Sequence, residues 1–259
     1  MNNLPNSVSR SAHLGAAVAA AAVAMAVLGV GGAATGVLPA FGGFLFLVLG
    51  LGSALIALIT SIVGIVATAP SKNREGRGAA IGGVLLSMAV VVGAMVGASP
   101  GNGLPRINDI TTDLADPPVF VVALEAEPNK ARDMAYPGPE FADQQLAAYP
   151  DLASVVIEAE PPAAFDLVYQ VLAAMPRTTI TGSSLEEGRV EATETSAIFR
   201  FSDDVVVRIR PYADGGSRID VRSKSRDGKG DLGVNAARIR TLIERIRAIA
   251  PPPTAAPES

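Results

Sequence analysis

Hydrophobic positions along this 259-residue chain change character near residue 100. Before it, apolar residues come in three unbroken runs, about 14–35, 41–68 and 78–98. Each is near or above the roughly 20 residues that carry a helix across a hydrocarbon core. Beyond it, apolar residues return at every second or every third to fourth position, the periods of half-buried strands and helices in water. Segment 155–159 reads as a strand, and Pro161-Pro162 then opens a helix, since proline suits a first turn. Phe165, Val168, Tyr169 and Leu172 form its apolar stripe, and Pro176 ends it. Extended segments follow at 178–181, 188–195 and 196–201, up to a turn at Ser202-Asp203-Asp204. Strands 205–210 and 217–226 alternate most clearly and flank a hairpin turn at Asp214-Gly215-Gly216. In them Val205, Val207, Ile209, Ile219 and Val221 share one face, while Arg208, Arg210, Arg218, Asp220, Arg222 and Lys224 share the other. A final helix spans about 232–250, with Asp231 as its N-cap and Ile239, Leu242, Ile243, Ile246 and Ile249 as its buried stripe. Arg238, Arg240, Arg245 and Arg247 fall largely off that stripe.

The predicted fold is thus an N-terminal all-α transmembrane three-helix segment followed by an α+β domain, an antiparallel sheet with helices packed on one face. By segments, 1–12 is a cytoplasmic N-terminus, 13–98 the three transmembrane helices, 99–105 a linker of turn formers, 106–250 an extracytoplasmic domain and 251–259 a disordered tail. Within the domain, 106–153 forms an acidic arm, extended around Pro117-Pro118, with a short strand at 119–124 and a short helix at 140–147. Tyr136 and Tyr149 are expected to pin this arm to the body, with lining a pocket as the alternative.

Charge sharpens the division. Residues 11–99 carry only Lys72, Arg74, Glu75 and Arg77 as acidic or basic side chains, whereas 106–250 hold 17 of the 21 Lys and Arg and 23 of the 25 Asp and Glu. The overall mean hydropathy of +0.36 averages two unlike halves. Arg10 stands before the first run and Lys72, Arg74 and Arg77 between the second and third, so basic loops favour a cytoplasmic N-terminus and an extracytoplasmic C-terminal half. This would place the protein in the inner membrane with its last domain in the periplasm or its equivalent. A cleaved signal peptide is the competing reading of the first run; its apolar stretch is longer than a signal core, and the domain would lie on the same side either way. No ionisable residue interrupts a run, which argues for a passive anchor rather than a transport path. Small pairs four apart, Gly32/Gly36, Gly78/Gly82 and Gly93/Gly97, are candidates for close helix packing, although so Gly- and Ala-rich a sequence produces such pairs by chance.

Composition excludes several chemistries. The chain has no cysteine, and its one histidine, His13, opens the first apolar run. Thiol nucleophiles, a Ser-His-Asp triad and ordinary zinc sites are therefore unavailable to the soluble half. No cofactor or metal is expected, and Asp109, Asp113 and Asp116 lack the spacing of a calcium loop. The domain's charge is uneven: 106–170 carry 12 acidic and 3 basic side chains, 177–250 carry 14 basic and 11 acidic. The arm is expected to lie over the arginine-bearing face of the sheet. The alternative is an anion site built from arginine forks. Five residues near the last turn are its candidates: Arg222, Arg226, Asp231, Asn235 and Arg238. A helix N-terminus flanked by arginine can hold an anion, though Asp231 could itself be that anion. Net negative charge disfavours nucleic acid as a partner. The lipid bilayer is the expected partner, with a homo-oligomer or an envelope protein as further candidates.

Three stretches, LPRINDITTDLADPPVF (104–120), AYPDL (148–152) and SKSRDGKGDLGVNAARI (223–239), resemble the bacterial domain-of-unknown-function 1499 family, a likeness covering about 104–249. The resemblance implies the fold and a multi-span anchor ahead of it, and supplies no catalytic residue. The functional expectation is a membrane-anchored binding or envelope-structural module, with an enzyme or anion-binding domain using the last strand–helix turn as the alternative.

Overall fold

The computed structural model describes residues 7–101 and 103–250. The predicted tail 251–259 lies outside them. The chain divides into two compact units, one of residues up to Ser99 together with Ala197–Arg200, the other of the remaining residues from Pro100 onward.

In the first unit β1 (Ser7–Val8) leads into α1 (Arg10–Ala34), followed by α2 (Ala40–Ala67), β2 (Arg74–Glu75) and α3 (Arg77–Ala98). All three helices are long and apolar enough to cross a membrane. Ser9 caps α1 by accepting from Ala12 N. Arg77 donates through Nη1 to the Ile65 and Thr68 carbonyls at the end of α2, at 3.3 and 3.4 Å. β1 pairs in parallel with β2, Ser7 opposite Arg74. The buried seam is made of small residues: Ala12, Gly15, Ala19 and Ala22 on α1, Gly50, Ala54, Ala57, Ser61 and Gly64 on α2, and Ala80, Gly83 and Ser87 on α3. Lipid gives no hydrophobic drive between helices, so close backbone approach must supply the packing energy. Two of the three pairs suggested by spacing are not among the glycines that permit it, and in the third Gly32 packs only on the Leu38 side chain of the following turn. A Cβ on Gly78, Gly82, Gly93 or Gly97 would meet nothing within 4 Å, whereas one on Gly15 would stand 2.8 Å from Ser61 N and one on Gly64 2.7 Å from Ala12 Cα.

The second unit is an antiparallel sheet of β3 (Asp109–Thr111), β4 (Val155–Ile157), β5 (Thr178–Ser184), β6 (Arg189–Thr195), β7 (Ser202–Tyr212) and β8 (Gly216–Ser225). The order is β3-β8-β7-β6-β5, and β4 shares the outer edge of β8 with β3. β4 takes residues 217–219 of that edge and β3 takes 222–224. Two helices, α5 (Pro161–Ala173) and α6 (Val234–Ile249), cover one face, and α4 (Pro139–Ala148) lies in the arm. Ile110, Val190, Ala192, Val205, Val207, Ile209, Ile219 and Val221 join the helical stripes in the main core.

Several local expectations change. Val122–Glu125 form a 3-10 turn, not a strand. Val171 rather than Tyr169 completes the α5 stripe, and Tyr169 is 40% exposed. The last helix starts at Val234, because Leu232 and Gly233 both have left-handed backbones, at φ +55° and +83°. Ile249 is exposed, while Arg238 lies on the buried face. The charged face of the sheet is also buried: Asp109, Glu191, Asp204, Asp220, Arg222 and Lys224 are all at most 6% exposed, beneath arm residues 112–136.

Candidate functional site

The covered face of the sheet is built from alternate residues of β3, β6, β7 and β8. β3 places Asp109 opposite Lys224 and diagonal to Arg222. Arg222 grips Asp109 with both ends of its fork, Nε to Oδ1 at 2.8 Å and Nη2 to Oδ2 at 2.7 Å, and Lys224 Nζ adds a third bond at 2.8 Å. The remaining Arg222 donors reach the arm's carbonyls, Pro118 at 3.1 Å and Met134 at 2.8 Å. Phe120 and Tyr136 stack on its guanidinium at 4.9 and 5.6 Å. Burial, with help from Asp109 and against Arg222, pushes the Tyr136 phenol up to about 12.

A second cluster stands beside it. Asp220 accepts from Arg208, Arg210, Arg218 and Ser154. The arm's Asp113 reaches the same three arginines through Oδ2, at 3.3, 3.2 and 2.7 Å, and Asp116 pairs with Arg208 and Arg210. Burial alone would raise the Asp220 pKa, but the bonds from Ser154, Arg208 and Arg218 outweigh it and hold the carboxyl below its ordinary value. Further along the sheet, Glu191 accepts the backbone N–H groups of Val121, Val122 and Ala123 at 2.9–3.0 Å and also pairs with Arg189. Asp204 binds Arg226 and Asn129. The arm is thus fastened by its own carboxylates on sheet arginines, by three backbone amides on Glu191 and by the Asn129 side-chain amide on Asp204.

The opposite face carries a different network. Asp231 accepts from Gly233 N at 2.9 Å and Asn235 N at 2.7 Å, capping the first turn of α6 from two residues before its geometric cap. Burial, only partly offset by these bonds, pushes its carboxyl up. Asn235 accepts from Ser223 and donates to Ser225 Oγ and the Asn108 carbonyl. Arg238 pairs with Asp203 at 2.6 Å and Glu194 at 2.9 Å.

The five residues proposed from sequence therefore do not share a site. Arg222 and Arg226 lie on the arm side of the sheet, in separate ion pairs. Asn235 and Arg238 lie on the helix side, and Asp231 in the turn between. Nearness in sequence misleads here because consecutive strand residues point to opposite faces. Among the described residues no group of three or more His, Cys, Asp or Glu is placed to hold a metal.

A cavity of about 390 Å³ lies at the start of α6, lined by Leu104, Tyr149, Leu232, Val234, Ala237 and Arg240 among others. Tyr149 is 3% exposed, yet its hydroxyl finds no hydrogen-bond partner among the described residues. Sequence reasoning favours pinning for Tyr149 and keeps pocket lining as the alternative; the structure shows both a buried ring and a place in the wall of this cavity, assembled from residues 104, 149 and 232–240.

Residues 109–246 match the family described as a protein of unknown function, DUF1499. No curated protein and no solved structure matches the chain.

Proposed function

The chain belongs to the DUF1499 family, and on that premise we propose that it is a membrane-anchored extracytoplasmic module whose work is binding or envelope structure. The observation that carries this reading is the closure of the sheet's charged face by the chain's own arm. The arginines best suited to anion chemistry already hold Asp109, Asp113, Asp116, Asp204 and Asp220. Asp231, the carboxylate best placed for catalysis at the last turn, is committed to capping α6. An enzyme acting through these residues would first have to break that network.

The bundle supports a placement as well. The β1–β2 pairing and the Arg77 bonds to the end of α2 support one basic end, containing Arg10, Arg74 and Arg77. By the positive-inside tendency that end is cytoplasmic, and three crossings put 106–250 outside, in the periplasm of a cell with two membranes. The bilayer is the proposed partner of the exposed apolar faces, with a second copy or an envelope protein as candidates for the folded domain.

Fusing reporters to the C-terminus tests the placement. A phosphatase that is active only outside the cytoplasm is expected to be active, and a fluorescent protein that matures only inside is expected to stay dark. The reverse pattern would sink the orientation.

A further inference from the structure

We propose that the loop between β6 and β7, Ala197–Arg200, is a membrane-inserted tip whose apolar residues sit in the lipid interface beside the start of α2. The inference rests on the anchor reading and adds a fourth lipid-contacting segment to the three helices.

The loop's residues are unsuited to a turn that faces water. Ser196 and Phe201 close it, Ser196 N donating to the Phe201 carbonyl at 2.8 Å and Phe201 N to Ser196 Oγ at 2.9 Å. Thr195 and Ser202 then pair in the strand ladder. Short hairpin turns are usually filled by Gly, Asn, Asp, Pro or Ser, which suit both the backbone and water. Here the four residues are Ala, Ile, Phe and Arg. Ile198 is 52% exposed, and Ala197 is exposed beside it. Arg200 holds a left-handed backbone at φ +60°, where glycine or asparagine is the usual choice.

The surroundings of the loop point to lipid. Ala197–Arg200 belong to the compact unit of the three membrane-capable helices, although they join β6 to β7. Within that unit the Phe199 ring meets Phe44 edge to face, with centroids 5.6 Å apart. Phe44 is the fifth residue of α2, about 6 Å along the axis from the first. That matches the depth to which interfacial side chains sink. A Cβ on Gly36, in the turn between α1 and α2, would stand 3.8 Å from Arg200 Nε. Val37, Phe41 and Phe44 are exposed, so the apolar tip adjoins an apolar helix end. Three crossings leave this turn and all residues after α3 on one side of a bilayer, so the loop reaches that interface without crossing. An interface accepts this pairing of residues. The isoleucine enters the acyl boundary, and the exposed arginine reaches the headgroup phosphates.

The chain has no tryptophan and no cysteine, so single substitutions report without background. Full-length Ile198→Trp, in phosphatidylcholine vesicles brominated near the headgroup, is expected to emit at shorter wavelength than tryptophan in water and to lose much of its emission. Bromines near the chain ends should quench it far less. Ile56→Trp, near the middle of α2 and 62% exposed, should show the opposite order. Leu185→Trp, 55% exposed in the turn before β6, should be quenched by neither. The seven residues of β6 separate it from the tip by about 23 Å. Tryptophan itself favours membrane interfaces. Ile198→Cys carrying a nitroxide is therefore a second reading, expected to collide more with dissolved oxygen than with a water-soluble nickel chelate. A nitroxide at 198 open to the chelate overturns the tip and leaves the anchor standing. So does Ile198→Trp as unquenched as Leu185→Trp while Ile56→Trp is quenched. Blue-shifted emission at 198 that bromines leave unquenched also overturns the tip, and would mark a second copy as its cover. No quenching of Ile56→Trp overturns the anchor reading, and the tip with it.

Discussion

Asp109→Ala is expected to lower the stability of the sheet-bearing unit by about 3–5 kcal/mol, the cost of removing one partner from a buried ion pair. Asp109 is fully buried and is the acid that Arg222 and Lys224 share. Without it, two cations at 2% and 6% exposure lose their counter-ion with no route to water. Such a loss is a large fraction of the roughly 5–15 kcal/mol that typically holds a domain together. A melt followed by tyrosine fluorescence, convenient in a chain without tryptophan, should show a midpoint lower by roughly 10 °C or more. The cost arises from stranding charge. Replacing all three together, Asp109→Leu with Arg222→Met and Lys224→Met, should therefore restore much of the lost stability. If Asp109→Ala melts like the parent, the buried triad is not the fastening of the arm.

The second large effect is expected in the bundle. Gly15→Leu should disrupt the three-helix packing, because even a Cβ there would lie 2.8 Å from Ser61 N and 3.0 Å from Ser61 Cα. Those are backbone atoms of the neighbouring helix, which cannot swing aside, so α1 and α2 must separate. Overpacking of this kind costs typically 1–3 kcal/mol, occasionally more, and leucine is a severe case. Gly82→Leu on α3 serves as the control, since a Cβ there meets nothing within 4 Å. Denaturation of the full chain with increasing SDS in mild detergent should show early loss of structure for Gly15→Leu and a parent-like curve for Gly82→Leu. Equal behaviour of the two would refute the helix arrangement.

The contrast between those glycines shows what a sequence carries and what it does not. The runs at 14–35, 41–68 and 78–98 were legible because their apolar length alone sets the element, and the helices start and stop within a few residues of those bounds. Which glycine faces a neighbour depends on the rotation of each helix, and four-residue spacing between two glycines does not fix it. Strands β7 and β8 were legible from alternation, and so was the sorting of their side chains onto two faces. Alternation does not say whether a polar face meets water. Here an arm from residues 112–136 covers it, and the charge imbalance between 106–170 and 177–250 was the available signal. Arg238 was misplaced for a related reason. An arginine beside an isoleucine stripe reads as solvated, yet at three positions past Asn235 and four before Leu242 it shares their buried side and finds Asp203. Leu232 and Gly233 delayed the start of α6 through left-handed backbones, which a leucine seldom adopts and a pattern of apolar positions does not report. The Tyr149 cavity needs three distant segments and has no local signature.

The claim on which the rest depends is that the arm is a permanent part of the domain, closing the arginine-bearing face rather than gating it. Hydrogen exchange across residues 119–126 of the full-length protein tests this most directly, because the amides of Val121, Val122 and Ala123 all donate to the Glu191 carboxylate. Uptake there should be as slow as in β8 and unchanged by excess inorganic phosphate or citrate, opening only with the whole domain. Rapid uptake at these amides, or uptake that rises when an anion is added, would show an arm that leaves its arginines to a ligand.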